Sequence, residues 1–246
     1  VTPLVFLAPH LDDAVLSCGG LIGRLARRGC RVVVLTVFAG ANPAPEYPPA
    51  ARRLHRAAGY GDEEAVAVRR REDRLACARL AASAVHLDVP EALYRRDPGG
   101  RPVYPRLGLA FAGRRTEPDL LDELTVRLRR ELAGLGTSRP FAPLGLGGHA
   151  DHVLLRQAVD RVWPEAVFWE DLPYAASSAP ATAGLRPVTV HVAPPDWEAR
   201  LAAARLYASQ VRLLWGGAGR MERELTDFAV GIGGGRPAER FWRRPG

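Results

Sequence analysis

The chain has 246 residues, 47% hydrophobic and 25% charged, which is enough apolar content for one α/β domain over 1–246 and rules out a disordered or fibrous chain. The net charge is +7, but all 34 basic residues are Arg, scattered among 27 acidic ones without a basic tail or interleaved aromatics, so nucleic acid is not expected as a ligand. No apolar window reaches the roughly 18 residues of a membrane span, no basic leader suggests a signal peptide, and Cys18, Cys30 and Cys77 form neither a disulfide framework nor a CxxC knuckle, so a cytoplasmic location is expected.

In chain order, Leu4 to Ala8 (LVFLA) and Arg31 to Phe38 (RVVVLTVF) are apolar runs that predict buried strands. Between them, Leu16 to Arg28 has apolar residues at helical spacing and closes at Gly29, which predicts a strand, helix, strand unit with a parallel crossover. Helices are predicted over Glu63 to Leu80 and Glu117 to Leu135, and strands at AVHLDV around Val85, FAPLGL around Leu144, AVFWE around Val167 and PVTVHV around Val190. The Pro- and Gly-rich stretches Ala41 to Pro49 and Asp97 to Pro105 predict loops, so that segments 41–62 and 95–116 are expected to cover a site. A last helix is expected from Asp196 to about Leu214, and GIGGG (Gly231 to Gly235) predicts a loop rather than a phosphate cradle, since no helix pattern follows it. The alternation predicts an α/β fold: a Rossmann-like doubly wound, mostly parallel sheet with helices on both faces.

Two clusters carry the chemistry. His10-Leu11-Asp12-Asp13 directly follows the first predicted strand, at the carboxyl end where open α/β sheets bind ligands. His10 and Asp13 are three apart, so one turn brings an imidazole and a carboxylate to one side, with Asp12 close by. His149-Ala150-Asp151-His152 follows another predicted strand and a Gly pair, and brings two more imidazoles to the same sheet edge. Singly, each cluster has a plainer reading: a helix N-cap for the Asp pair, a hydrogen-bonded core histidine for His149 or His152. Together they offer His, Asp and His ligands with an open position, which suits Zn²⁺. Fe²⁺ or another divalent ion is the alternative, because two His and a carboxylate also form the facial triad of non-haem iron oxygenases. The alternating pattern speaks against the barrels on which those oxygenases are built.

PHLDDAVLSCGG resembles the HPDDE-type signature of the PIG-L (LmbE-like) N-deacetylases, and GHADH resembles their HxDH motif. Arg69 and Glu72 fit an R-x-x-E helix, WEDLPYA (Trp169 to Ala175) looks like the corresponding post-strand segment, and YASQ (Tyr207 to Gln210) is similar to a C-terminal helix motif. Leu11 and Ala14 replace the Pro and terminal Glu of HPDDE, which bears on orientation and tuning rather than on hydrolysis. The resemblance implies a metal held by His10, Asp13 and His152, with Asp12 as general base. His149 would assist the oxyanion and leaving group, and Asp151 would orient a histidine. It also implies a small-molecule substrate, an N-acetylated amino sugar or glycoconjugate such as a precursor of a glycosylated antibiotic or thiol cofactor, hydrolysed to free amine and acetate. Arg69, Glu170 and Asp171, with Arg95 and Arg96 before a Gly/Pro loop, are candidate substrate contacts, but the plainer reading is the stronger one: the triple Arg beside Glu72 and Asp73 most often makes a solvated, ion-paired helix face. The rival readings are an amidase for another N-acyl or thiol-conjugate substrate, and a carbohydrate-binding protein without turnover on the same fold.

Overall fold

The computed structural model describes residues 2–111, 117–137, 139–177, 182 and 184–245. Its elements run β1 (Leu4–Ala8), α1 (Asp13–Arg27), β2 (Val32–Thr36), α2 (Pro49–Ala58), α3 (Ala65–Arg79), β3 (Ser83–His86), α4 (Leu107–Ala110), α5 (Pro118–Leu135) and β4 (Phe141–Pro143). The chain continues through α6 (Ala150–Val162), β5 (Val167–Trp169), β6 (Arg186–His191), α7 (Pro194–Ala204), α8 (Ala208–Trp215), α9 (Ala218–Ile232) and β7 (Ala238–Arg243). The strands form one sheet in the order β3-β2-β1-β4-β5-β7-β6. The first five are parallel and β7 runs antiparallel to both neighbours, β5 and β6. The predicted α/β class and mostly parallel sheet are therefore what the chain adopts.

Strand alternation explains the helices on both faces. Val5, Leu7, Val33 and Leu35 point to one face, where Leu121, Leu124, Leu128 and Leu132 of α5 and Leu155 and Val159 of α6 cover them. Phe6, Ala8, Val32 and Val34 point to the other, beneath Val15, Cys18 and Ile22 of α1, Ala76 and Cys77 of α3, and Ala203 of α7. α1 lies close to its neighbours because it carries small residues there: a Cβ on Gly19 would sit 2.9 Å from Arg200 Cγ.

The sheet changes direction at β1, which pairs with β2 on one side and β4 on the other. That is the topological switch point, where a crevice opens outside the carboxyl ends of the strands. His10 leaves β1 there, and His149 and His152 lie just beyond β4.

Four sequence expectations change. Segment 41–62 is not all loop, because Pro49–Ala58 forms α2, opened by Pro at its first turn and closed by Gly59 at φ 91°. The helix expected from Asp196 to Leu214 is two, α7 and α8, and α9 and β7 follow where no element was expected. GIGGG splits accordingly: Gly231 ends inside α9, and only Gly233 to Gly235 lie beyond it. In the segment 95–116, also expected as loop, Leu107–Ala110 form α4 and residues 112–116 lie outside the described residues. No helix among the described residues is long and apolar enough to cross a membrane.

Candidate metal centre

β1 ends on Ala8 and α1 starts at Asp13, so His10 to Asp12 form the turn between them. The N-cap reading of the Asp pair fails here: Asp12 caps α1 with its backbone, but its side chain makes no capping hydrogen bond. Asp13 turns back, its Oδ2 accepting from the His10 backbone N–H at 2.8 Å. The same Oδ2 lies 3.3 Å from His10 Nδ1 and 3.3 Å from His152 Nε2. Those two imidazole nitrogens are 3.3 Å apart.

This equilateral tripod is the test of whether the residues fit a metal. Ligands about 2.0–2.1 Å from a tetrahedral ion are separated by about 3.3–3.4 Å along each edge. His10, Asp13 and His152 meet that spacing with their ligating atoms already turned toward one another, so this set fits the geometry a divalent ion needs. Among the described residues, His10, His149 and His152 also group, with ligand atoms within 4.8 Å. The tripod with Asp13 fits better, because 4.8 Å is wider than the edge of a tetrahedral site and His149 Nδ1 already accepts the Asp151 backbone N–H at 3.2 Å.

The far nitrogen of each ligand histidine is held by a buried carboxylate. Asp151 Oδ2 accepts from His10 Nε2 at 2.9 Å, and Asp171 Oδ1 accepts from His152 Nδ1 at 2.6 Å. Such partners fix the ring and its tautomer and raise ligand basicity. Each carboxylate is anchored in turn: Asp171 Oδ2 accepts from the backbone N–H groups of Gly145 and Leu146, and Asp151 accepts from Ala92 N–H and from Arg95.

Packing anions and imidazoles this closely shifts their proton affinities. Burial works against charge on His10 and His152, but Asp13 together with Asp151 or Asp171 outweighs it, lifting them to about 9 and about 10. Burial also opposes ionisation of Asp13, yet the two imidazoles beside it hold it well below the usual carboxylate range. Without an ion, protons on the imidazoles balance the carboxylates, so metal uptake displaces protons. Asp12 goes the other way: burial and the Asp13 charge push it up to about 7, against the opposing pull of Arg69. Burial, reinforced by His10, pushes the His149 imidazole down to about 3.

A cavity of about 280 Å³ opens above the tripod, lined at its base by His10, Asp12, Asp13, His149, Arg69 and Glu91. Arg69 reaches in from α3, bonded to Glu91 at 3.1 Å with Asp12 Oδ1 3.9 Å away, and its buried Nε has no partner. The other candidate substrate contacts lie elsewhere. Arg95 is buried behind Asp151, forked between it and Glu117. Asp171 is occupied by His152, and Glu170 accepts from Arg240 Nε and Trp242 Nε1 of β7. None of these three lines the cavity. Leu11 and Ala14, which replace the Pro and Glu of the HPDDE signature, are both buried in the core.

Several cavity residues were not singled out from the sequence. His55 lines the wall from α2 with both nitrogens engaged, Nδ1 with Asp62 at 2.6 Å and Nε2 with Tyr94 at 2.8 Å. Tyr174 stands edge-on over His152, ring centroids 5.4 Å apart, and Phe111 does the same over His149 at 4.8 Å. Gly147, at φ 77°, leaves the room: a Cβ there would sit 2.6 Å from Tyr174 Cγ. The signals were the Tyr of WEDLPYA and the spacing of Ala51, Leu54 and Ala58 in α2.

The family model for PIG-L, GlcNAc-PI de-N-acetylase, matches residues 5–163, a stretch that contains all three tripod residues. The chain belongs to the PIG-L family. A relative from Streptomyces fradiae, 2'-N-acetylparomamine deacetylase, is 32% identical over 187 residues. That match covers 70% of this chain and 57% of the relative, so the chain spans little more than half of that protein. Among solved structures, the zinc-inhibited form of teicoplanin deacetylase Orf2 superposes with a TM-score of 0.86 at 31% identity, over 98% of this chain and 97% of that one. The A40926 pseudoaglycone deacetylase Dbv21 gives a TM-score of 0.80 at 30% identity, over 98% and 96%.

Proposed function

We propose that this protein is a metal-dependent N-deacetylase that hydrolyses the acetamide of an N-acetylated amino sugar within a larger natural product, yielding free amine and acetate. The observation that carries this reading is the tripod of His10, Asp13 and His152, with all three edges at 3.3 Å and the Asp12 carboxylate beside it, which makes no capping hydrogen bond. Zn²⁺ is the ion we assign, with Fe²⁺ as the alternative. A bound divalent ion supplies Lewis acidity, activating water at neutral pH and polarising the acyl carbonyl.

The chain's own groups do the rest. Asp12, whose carboxylate makes no capping hydrogen bond and adjoins the tripod, takes a proton from the attacking water, a contribution of about 10²- to 10⁴-fold. His149 is neutral, and because its Nδ1 accepts from Asp151 N–H, its Nε2–H is the free donor for the oxygen that becomes negative. A neutral imidazole that keeps its proton makes Asp12 the group that returns a proton to the departing amine. Asp151 and Asp171 hold the ligand rings, and Arg69 with Glu91 offers a charged edge for sugar hydroxyls.

The substrate class rests on the relatives, which are deacetylases of 2'-N-acetylparomamine, teicoplanin and A40926 pseudoaglycone. The free thiols Cys18, Cys30 and Cys77 support a reducing, cytoplasmic location. The test is product analysis on a panel of N-acetylated amino sugars, free and glycosidically linked, with O-acetyl sugars as controls. Acetate and free amine should appear together from the N-acetyl members. Release from none of them, with zinc or iron supplied, would overturn the reading.

A further inference from the structure

On one face of the sheet the helix cover is incomplete. There Glu239 of β7 lies beneath α1, accepting from the Gly20 and Leu21 backbone N–H groups, and is paired with Arg200 of α7. Past that point only Leu21 of α1 borders the face, and no residue of β6, the edge strand beside β7, is buried. Strand alternation brings Phe141 of β4, Val167 of β5, Phe241 of β7, and Val188 and Val190 of β6 to this face. They floor a cavity of about 310 Å³, with Leu21 as its wall.

Arginine flanks that floor. Arg139 stands two before Phe141, Arg243 two after Phe241 and Arg186 two before Val188, so each shares the face of its apolar neighbour. Arg186 and Arg243 are register partners across β6 and β7. All three are exposed, and none is ion-paired among the described residues; Arg139 donates to the Glu165 backbone carbonyl at 3.0 Å. Glu165, two before Val167, brings one negative charge to the same rim, which stays net positive.

Sheet faces in α/β folds are packed by helices, and contiguous open apolar surface marks a binding site. The width here suits one helix. From β4 to β6 there are three strand spacings, about 14 Å, against about 10–12 Å for a helix with its side chains. The rim sets the sign of the charge that helix must carry. A second copy docked on a two-fold axis would bring two positive rims into one interface, and a flat bilayer surface does not follow a floor recessed beside α1.

We infer that this face docks an acidic amphipathic helix of a partner protein, its apolar side on Phe141, Val167 and Val188 and its carboxylates on Arg139, Arg186 and Arg243. The arginine rim lies at the amino ends of the parallel strands and the tripod at their carboxyl ends. Docking therefore tethers the protein to its partner without closing the reaction cavity.

The probe is a synthetic, helix-stabilised peptide with leucines along one face and glutamates flanking them, compared with the same peptide carrying lysines. In NMR spectra of the methyl-labelled full chain, the glutamate peptide should shift the signals of Leu21, Val167, Val188 and Val190. Those of Leu54 and Leu213 in the reaction cavity should stay in place. The lysine peptide should bind about tenfold more weakly or worse. The pair Arg139→Glu and Arg243→Glu should cost the glutamate peptide a similar factor. Arg129→Glu with Arg130→Glu on α5, an equal change in charge, should cost it nothing, and both double variants should keep the wild-type melting temperature. No methyl shift with either peptide at millimolar concentration, or equal affinity for the two, overturns the inference. So does binding of this face to phosphatidylglycerol vesicles in place of the peptide, which would make it a membrane surface. Dimerisation that Val188→Asp abolishes would also overturn it, by making the face an interface with a second copy.

Discussion

Asp151 Oδ2 lies 2.9 Å from His10 Nε2, joining residues 141 positions apart in sequence and fixing which nitrogen of His10 faces the tripod. With Nε2 bonded to a carboxylate, Nδ1 is left to ligate, and it is Nδ1 that stands 3.3 Å from both other ligand atoms. Asp151→Asn can present its amide to the ring either way round and no longer favours one tautomer. Metal affinity measured by competition with a chromophoric chelator should fall about 10- to 100-fold while the protein stays folded. Unchanged affinity would remove Asp151 from this role.

Arg95 supports the same contact from behind, with its guanidinium between Asp151 and Glu117 and a backbone carbonyl at Pro90. Arg95→Ala leaves the fully buried Asp151 carboxylate and the partly buried Glu117 without their cation. Thermal or denaturant unfolding should show a loss of about 3–5 kcal/mol, the cost of breaking a buried pair from one side. A loss below about 1 kcal/mol, as for an exposed ion pair, would contradict this placement.

Asp12→Asn keeps the size of the side chain and touches no ligand atom of the tripod. It should retain the metal and lower kcat by about 10²- to 10⁴-fold. Elemental analysis and steady-state kinetics on one preparation check both halves, and near-wild-type turnover would remove Asp12 as the base.

His149→Ala distinguishes the two possible ligand sets. If Asp13 completes the tripod and His149 donates to the oxyanion, the variant keeps its metal and loses about 10²- to 10³-fold in kcat with little change in KM. Loss of the metal in His149→Ala and its retention in Asp13→Ala would favour the three-histidine grouping instead.

The site was more legible in the sequence than the C-terminal fold, and the reason is physical. His10, Asp12 and Asp13 occupy one turn after a strand with an apolar signature, and His149 to His152 occupy another, so local pattern sufficed to place both at one sheet edge. The substrate contacts were less legible, because Arg95 and Glu170 find their partners, Asp151 and Trp242, at distances of 56 and 72 residues. Likewise, nothing local divides Asp196 to Leu214 into two helices. The break comes where Tyr207 donates to Asp73 and Glu72 caps Ser209, both on α3. β7 was hidden for another reason: Ala238, Glu239, Phe241 and Trp242 are all buried, so the strand shows no alternation, and Glu239 is paired with Arg200 and the N–H groups of Gly20 and Leu21. In contrast, α9 carried a readable signal in Met221, Leu225 and Ala229, four apart and buried along one face.

The most direct measurement is a titration of metal-free protein with zinc and, separately, iron(II), following bound ion and acetate release from an N-acetylated amino sugar in the same samples. The tripod predicts that activity rises in proportion to bound ion up to one per chain, and that His10→Ala and His152→Ala bind no ion tightly under the same conditions. Full activity in the metal-free protein, or stoichiometric ion retained in both histidine variants, would contradict it.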